Sequence, residues 1–325
     1  MRGVGRIKKV VRTLRRQFAP AAVILMYHRI VDQPVDPYGI VVSPDHFAQH
    51  VEYIRQTCHP MHLLDLVRTI RQRQSLPKRA LVVSFDDGYV DVFCRAFPVL
   101  ASTQVPATVF VASGYVDSDC NFWSDELTRT LLLQDRLPSS LRLQVQGAEY
   151  EWPMTSQEQR QLAHEAVYRL LKPLPPATQH EMLARLASWA GIERSDCADD
   201  RAMRPLELNQ LTRGGLIDIG AHTVNHPTLS ALPVDSQYAE IVGSRRSLEA
   251  ITERPVLTFA YPYGLAQDFA DETVAVVEAA GFEAACTVLP GVVHSGSDPF
   301  RLPRFWVGDW DLETFKKNLG WFFLQ

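Results

Sequence analysis

Two stretches, Ala22–Tyr27 and Leu81–Phe85, are almost continuously apolar and rich in β-branched residues, without polar alternation. That pattern predicts strands buried on both faces. Between them the period changes. Ser43-Pro44-Asp45 combines a capping serine, a proline at the first helical position and an acid in the first turn, and Phe47, Val51 and Ile54 follow at helical spacing. A second helix is expected over Leu63–Gln74, ended by Pro77, then a helix over Val92–Thr103 and a strand over Ala107–Val111. Strands alternating with helices imply parallel pairing and an α/β architecture.

The alternation lapses between about Asp117 and Arg204. A helix opening at Phe122, a polar hairpin over Leu141–Trp152, and amphipathic helices over Gln157–Leu171 and Thr178–Ala190 are expected there, the last two joined through Pro173, Pro175 and Pro176. No strand of the parallel sheet is predicted in this part. It reads as a helical insertion over one end of the main domain. Alternation resumes with helices at Leu206–Arg213, Ser236–Ile251 and Phe269–Ala280, and strands at Leu216–Ala221, Thr258–Tyr261, Ala284–Val288 and Phe305–Val307.

Composition narrows the class. The 325 residues, 46% hydrophobic and 22% charged, suit a globular protein, and a net charge of −4 gives no basis for nucleic-acid binding. Five scattered cysteines without a Cys-x-x-Cys pair argue against a disulfide framework or a thiolate metal site. Residues 1–20 are locally basic, with Arg2, Arg6, Lys8, Lys9, Arg12, Arg15 and Arg16. No long apolar run follows, so a cleaved secretory signal is not expected, and a cytoplasmic location is. A solvated tail is the plain reading of this segment; an amphipathic face resting on anionic lipid is the sharper one.

The candidate chemistry sits where strands end. Asp86 and Asp87 follow Leu81–Phe85, and Gly88 allows a turn. Leu216–Ala221 runs into His222-Thr223-Val224-Asn225-His226-Pro227. Pro227 disfavours a helix at His226, so this is a loop, and Thr223 stands where the helical zinc-protease motif has glutamate. In a β/α barrel, residues at the carboxyl ends of strands converge on one mouth. His28, Tyr261 and Arg304 also lie at strand ends or edges. One aspartate and two histidines make a three-ligand set for a divalent metal, leaving the other aspartate as general base and His28 as donor to the leaving group.

Ser-Phe-Asp-Asp-Gly (Ser84–Gly88), Gly-Ala-His-Thr-Val-Asn-His-Pro (Gly220–Pro227) and Phe-Ala-Tyr-Pro-Tyr-Gly (Phe259–Gly264), in that order, resemble the first three motifs of the polysaccharide deacetylases, carbohydrate esterase family 4. The resemblance spans about 22–307 apart from the insertion. It implies a deformed (β/α) barrel and an N- or O-deacetylase using zinc, or alternatively cobalt or nickel. By motif match it makes Asp86 the base and Asp87, His222 and His226 the metal ligands. A backbone N–H of the turn beginning at Tyr261 would help hold the oxyanion.

Two departures matter. The third motif lacks the arginine that orients the base in the family; Arg304 is the candidate replacement, and a surface arginine paired with a nearby acid is the other reading. The late Leu-x-His that supplies the acid is missing. Leu25-Met26-Tyr27-His28 is instead similar to the N-terminal motif of the permuted poly-N-acetylglucosamine deacetylase branch, where this histidine is the acid; His294 is a weaker rival. His46, His50, His59, His62, His164 and His180 are expected to be surface or packing residues, and Trp306 and Trp310 barrel packing. Trp123 is either a sugar-stacking ring or buried under the insertion.

The function expected is deacetylation, most simply of N-acetyl groups, of an amino-sugar glycan or a sugar-lipid precursor. An O-acetyl esterase or non-sugar amidase on the same fold, and a non-catalytic glycan-binding scaffold, are the alternatives. A metalloprotease is a distant third.

Overall fold

The computed structural model describes residues 21–118, 121–192 and 200–325. The basic N-terminal segment, Cys120 and Cys197 lie outside them. Strand β1 (Ala22–Tyr27) is fully buried. It is followed by β2 (Arg29–Ile30), β3 (Val41–Val42), β4 (His59–Pro60), β5 (Ala80–Phe85), β6 (Ala107–Val111), β7 (Ser140–Val145), β8 (Ala148–Pro153), β9 (Ile217–Ala221), β10 (Thr258–Ala260), β11 (Ala284–Cys286) and β12 (Phe305–Trp306). The main sheet runs in the order β11-β10-β9-β6-β5-β1-β12, with every pair parallel, and β4 pairs with the start of β5.

The two ends of this sheet approach each other. Cys286, closing β11, bridges Leu302 in parallel, and Val293 pairs with Ala22 at the start of β1. The stretch between β11 and β12 thereby bends the sheet round into a deformed (β/α) barrel. Helices Pro44–Thr57, Leu63–Arg71, Phe97–Thr103, Val234–Thr252, Asp271–Ala279 and Leu312–Phe322 belong to this part of the chain.

The register places the site. Tyr27 pairs with Phe85, so His28 and Asp86 emerge side by side. Val111 pairs with Ala221 and Phe259 with Ala221, which brings His222 and the turn after β10 to the same rim.

Among its described residues, the 117–204 stretch contributes no strand to the main sheet. Its hairpin, β7–β8, is a separate antiparallel pair. β7 is polar on one face only, because Leu141, Leu143 and Val145 are buried against helices Trp123–Leu132, Gln157–Leu171 and Pro176–Ala190. The expected helix over Val92–Thr103 begins as a π-helical turn, Val92–Ala96, and becomes α-helical from Phe97. Trp306 is not barrel packing. It lies 42% exposed on the two-residue edge strand, where Phe305 points inward and the Trp306 indole donates to the Gly39 carbonyl at 2.7 Å. Trp310 does pack against the core. Trp123 is buried at 1% exposure within the insertion. Among the described residues, no helix is long and apolar enough to cross a membrane.

Candidate active site

β5 delivers Asp86 and Asp87 to one cavity by opposite routes. Asp86 continues the sheet, its N–H donating to the Tyr27 carbonyl at 3.0 Å. Asp87 then turns into the left-handed region at φ 72°, a conformation aspartate tolerates better than most residues, and Gly88 follows at φ 88°. A Cβ on Gly88 would stand 3.0 Å from Val111 Cγ1, so glycine is needed for space as well as for φ.

Arg304 holds Asp86. Its Nη1 and Nη2 donate to Asp86 Oδ1 and Oδ2 at 2.6 and 2.7 Å, and its Nε donates to the Thr287 carbonyl at 2.9 Å. Arg304 is 0% exposed, which overturns the surface-arginine reading. The bidentate fork fixes the carboxylate plane as well as its charge. Burial by itself raises the Asp86 carboxyl, but the Arg304 guanidinium together with nearby His222 and His28 more than offsets it and keeps the group below the usual carboxylate range.

Asp87, His222 and His226 are all buried, and their ligand atoms lie within 4.8 Å of one another. His222 Nε2 and His226 Nε2 stand 3.5 and 3.3 Å from Asp87 Oδ1, and 3.2 Å from each other. His222 Nδ1 lies 2.7 Å from the Ala260 carbonyl, which can only accept. Nδ1 therefore carries the proton, and the Nε2 lone pair faces the cluster, the tautomer a metal ligand needs. His226 reaches inward through a strained loop. Thr223 and His226 have φ of 66° and 54°, and the Thr223 hydroxyl accepts the His226 N–H at 3.0 Å. Two imidazoles and one carboxylate suit a divalent cation with positions left open.

His28 lines the same cavity, about 110 Å³, together with Asp86, Asp87, His222, His226 and Tyr263. Its buried Nδ1 has no protein partner among the described residues. His294 does not line this cavity; its Nδ1 serves its own turn, accepting the Gly296 N–H.

Tyr261 does not face the cleft. Its N–H is spent on the Cys286 carbonyl at 3.1 Å, its hydroxyl donates to the Phe300 carbonyl, and its ring stacks on Phe269. As the residue directly after β10, it is committed to the sheet and the core. Tyr263 is the tyrosine that faces the cleft, at φ 60°. Trp123 and Lys172 brace it. Trp123 Nε1 donates to the Tyr263 hydroxyl at 2.9 Å, and Lys172 Nζ lies 4.3 Å from the ring centroid while pairing with Asp268 at 2.8 Å. Tyr263 stood in the quoted motif without being singled out. Tyr38 and Tyr168, which also line the cavity, come from a loop and a helix face whose sequence marks only a turn and a core stripe.

A parallel β/α barrel with paired aspartates and two histidines at its strand ends has the form of a hydrolytic metal site. Residues 73–285, about two-thirds of the chain, match the polysaccharide deacetylase family model, and the chain belongs to that family. His28 and Arg304 lie outside the matched segment. The chain is 27% identical over 97 residues to the poly-beta-1,6-N-acetyl-D-glucosamine N-deacetylase of Escherichia coli K12, covering 30% of this chain and only 14% of that relative's length. The solved structure of IcaB from Ammonifex degensii is similar with a TM-score of 0.61 at 18% identity, covering 94% of this chain and 97% of that one. The Streptococcus pyogenes deacetylase PplD in complex with acetate is similar with a TM-score of 0.61 at 17% identity, covering 93% and 99%. At these identities the likeness is one of fold.

Proposed function

We propose that this protein is a metal-dependent N-deacetylase acting on an acetylated amino-sugar glycan, with residues 21–325 as one catalytic domain into which 117–204 is inserted. The observation that carries it is the convergence of an arginine-held carboxylate, Asp86, and the Asp87–His222–His226 triple in one cavity. A divalent cation held by that triple, zinc by preference, would supply Lewis acidity toward the acetyl carbonyl and the attacking water.

The chain's own groups do the rest. Asp86, kept ionised and oriented by Arg304, takes the proton from water as the new C–O bond forms at the carbonyl carbon. The Tyr263 N–H, which has no hydrogen-bond partner among the described residues, donates to the carbonyl oxygen as charge develops. When the C–N bond breaks, His28 gives a proton to the leaving amine. The products are acetate and a free amino sugar. The relative's name, which specifies a poly-N-acetylglucosamine N-deacetylase, supports an amide over an ester substrate. A sugar-lipid substrate and peripheral membrane contact through the basic residues of 1–20 are the narrower form of the reading; co-sedimentation with anionic liposomes tests them.

The decisive experiment measures acetate release from N-acetylated and O-acetylated glycans, with and without chelator, for wild type and Asp86→Asn. Release from N-acetylglucosamine oligomers that chelator abolishes and zinc restores, with an inert Asp86→Asn that still binds metal, supports the proposal. Release only from O-acetyl esters replaces it with the esterase reading. No release from any substrate by metal-loaded protein leaves a glycan-binding scaffold.

A further inference from the structure

Glu240 lies outside the ligand cluster, yet it holds the loop that carries one of the ligands. It belongs to helix Val234–Thr252 and meets the turn between His222 and His226. Its Oε2 accepts the Val224 and Asn225 N–H groups at 2.9 and 2.8 Å, and its Oε1 accepts Asn225 Nδ2 at 2.7 Å. We propose that Glu240 is a positioning residue for the metal centre, which fixes His226 in its ligating place before any cation arrives and so sets the affinity for the metal. The inference rests on the metal-dependent reading of the site and adds to it a residue on a helix outside the motifs.

The two histidines differ in how much support they need. His222 is fixed by the sheet: its N–H donates to the Val111 carbonyl at 3.0 Å, and its Nδ1 lies against the Ala260 carbonyl. His226 comes after the last strand pairing and reaches the cluster through φ of 66° at Thr223 and 54° at His226. For a β-branched threonine that region is an outlier, and it persists only where the surroundings over-determine it. The Thr223 hydroxyl supplies one bond, to the His226 N–H. Between them, the Val224 and Asn225 N–H groups converge on a single oxygen. Successive N–H groups arranged in this way bind an anion, and Glu240 is that anion.

A second set of bonds holds the carbonyls of the loop. The Ser113 and Gly114 N–H groups donate to the Thr223 and Val224 carbonyls at 3.0 and 2.8 Å. A Cβ on Gly114 would stand 2.8 Å from the Val224 carbonyl oxygen, and one on Gly243 3.1 Å from Val224 Cγ2. Glycine at both positions lets the flanking segments close on the loop. No cation pairs with the Glu240 carboxylate among the described residues, so its acceptors serve the loop. Both oxygens are used there, and Glu240 acts through His226 rather than as a fourth ligand.

The test measures zinc affinity of chelator-treated protein by calorimetry against a competing chelator, with the melting temperature of each metal-free form. Wild type, Glu240→Ala, Glu240→Gln and Leu248→Val are compared. Leu248 is buried on the same helix, so Leu248→Val perturbs the core without removing a bond to the loop. Glu240→Ala should weaken zinc binding about 10–100-fold. In Glu240→Gln the carbonyl oxygen still accepts both backbone N–H groups, and its NH₂ meets the Asn225 amide oxygen once that amide turns over, so the loss should stay below about tenfold. Leu248→Val should keep wild-type affinity whatever its melting temperature. Wild-type affinity in folded Glu240→Ala, or an equal loss in Leu248→Val, would overturn the positioning role. So would a glutamine variant as weak as the alanine one, which would make charge alone the cause. If Glu240→Ala fails to fold, Glu240→Asp, one methylene too short for all three bonds, takes its place with the same expectation. A wild type that binds no zinc removes the metal reading and this inference with it. A wild type that binds zinc but releases acetate from nothing fails the deacetylase reading alone, and the zinc affinities still decide Glu240.

Discussion

Arg304 and Asp86 lie 218 residues apart in the chain and meet through two parallel N–H···O bonds where solvent does not reach. In the proposed mechanism this pairing sets Asp86 apart from Asp87 as the base. Arg304→Met leaves a buried carboxylate unpaired and should destabilise the fold by about 3–5 kcal/mol in denaturant titration. Arg304→Lys keeps the charge but loses the fork, and its kcat should fall by about 10²-fold or more, since general-base catalysis depends on orientation. Near-wild-type kcat in Arg304→Lys would show that charge alone suffices.

The Asp87–His222–His226 triple should couple metal to stability. Zinc added to chelator-treated protein is expected to raise the melting temperature, with about 4 kcal/mol of stabilisation at a thousandfold excess over Kd. His222→Ala and His226→Ala should each abolish the shift. A shift that survives both substitutions would place the metal elsewhere.

Gly88 is a sharp test of how the aspartates are presented. Gly88→Ala puts a Cβ 3.0 Å from Val111 Cγ1 at a φ of 88°. A cost of about 1–3 kcal/mol is expected, with metal affinity lowered because Asp87 must shift. Unchanged zinc binding by calorimetry would mean that the turn relaxes without moving Asp87.

Trp123→Phe removes the donor to the Tyr263 hydroxyl while retaining an aromatic ring in the insertion core. A stability loss of about 1 kcal/mol is expected. If the Tyr263 N–H serves the oxyanion, kcat should fall while KM stays near wild type; equal changes in both would assign Trp123 to substrate binding.

His50 predicts the acid limb of stability. Its Nε2–H donates to the Trp310 carbonyl at 2.7 Å, its ring stacks on Phe315, and burial lowers it from 6.5 to about 4. The unfolded chain takes up this proton first as pH falls below about 6.5, so stability is full above that value and declines until about pH 4. His164, also lowered to about 4, acts in the same sense. Melting temperature should therefore fall as the pH is lowered through this window. The slope should be shallower in His50→Phe, and an identical slope would remove His50 from the account.

Local pattern made most elements legible. β1 spans Ala22–Tyr27 as expected and the insertion helix spans Gln157–Leu171 as expected, because unbroken apolar runs and helical spacing survive in any context that buries them. Helix Leu312–Phe322 lies outside the predicted elements, although Phe315, Leu319 and Phe322 carry its periodicity and Asp311 caps it. The short strands β2 and β3 left no signal, since two residues cannot display a period.

The sequence by itself determined the barrel class, the strand ends at which Asp86, Asp87, His222 and His226 emerge, and the family to which the chain belongs, because these depend on residues close together in the chain. Only the tertiary structure decided that Arg304 is buried against Asp86, that Tyr263 rather than Tyr261 faces the cleft, and that Trp123 and Lys172 brace that turn. Each of those outcomes is a meeting of distant segments, or a positive φ at Asp87, Thr223, His226 or Tyr263 that local preference opposes. Such conformations persist only where packing from the rest of the chain over-determines them.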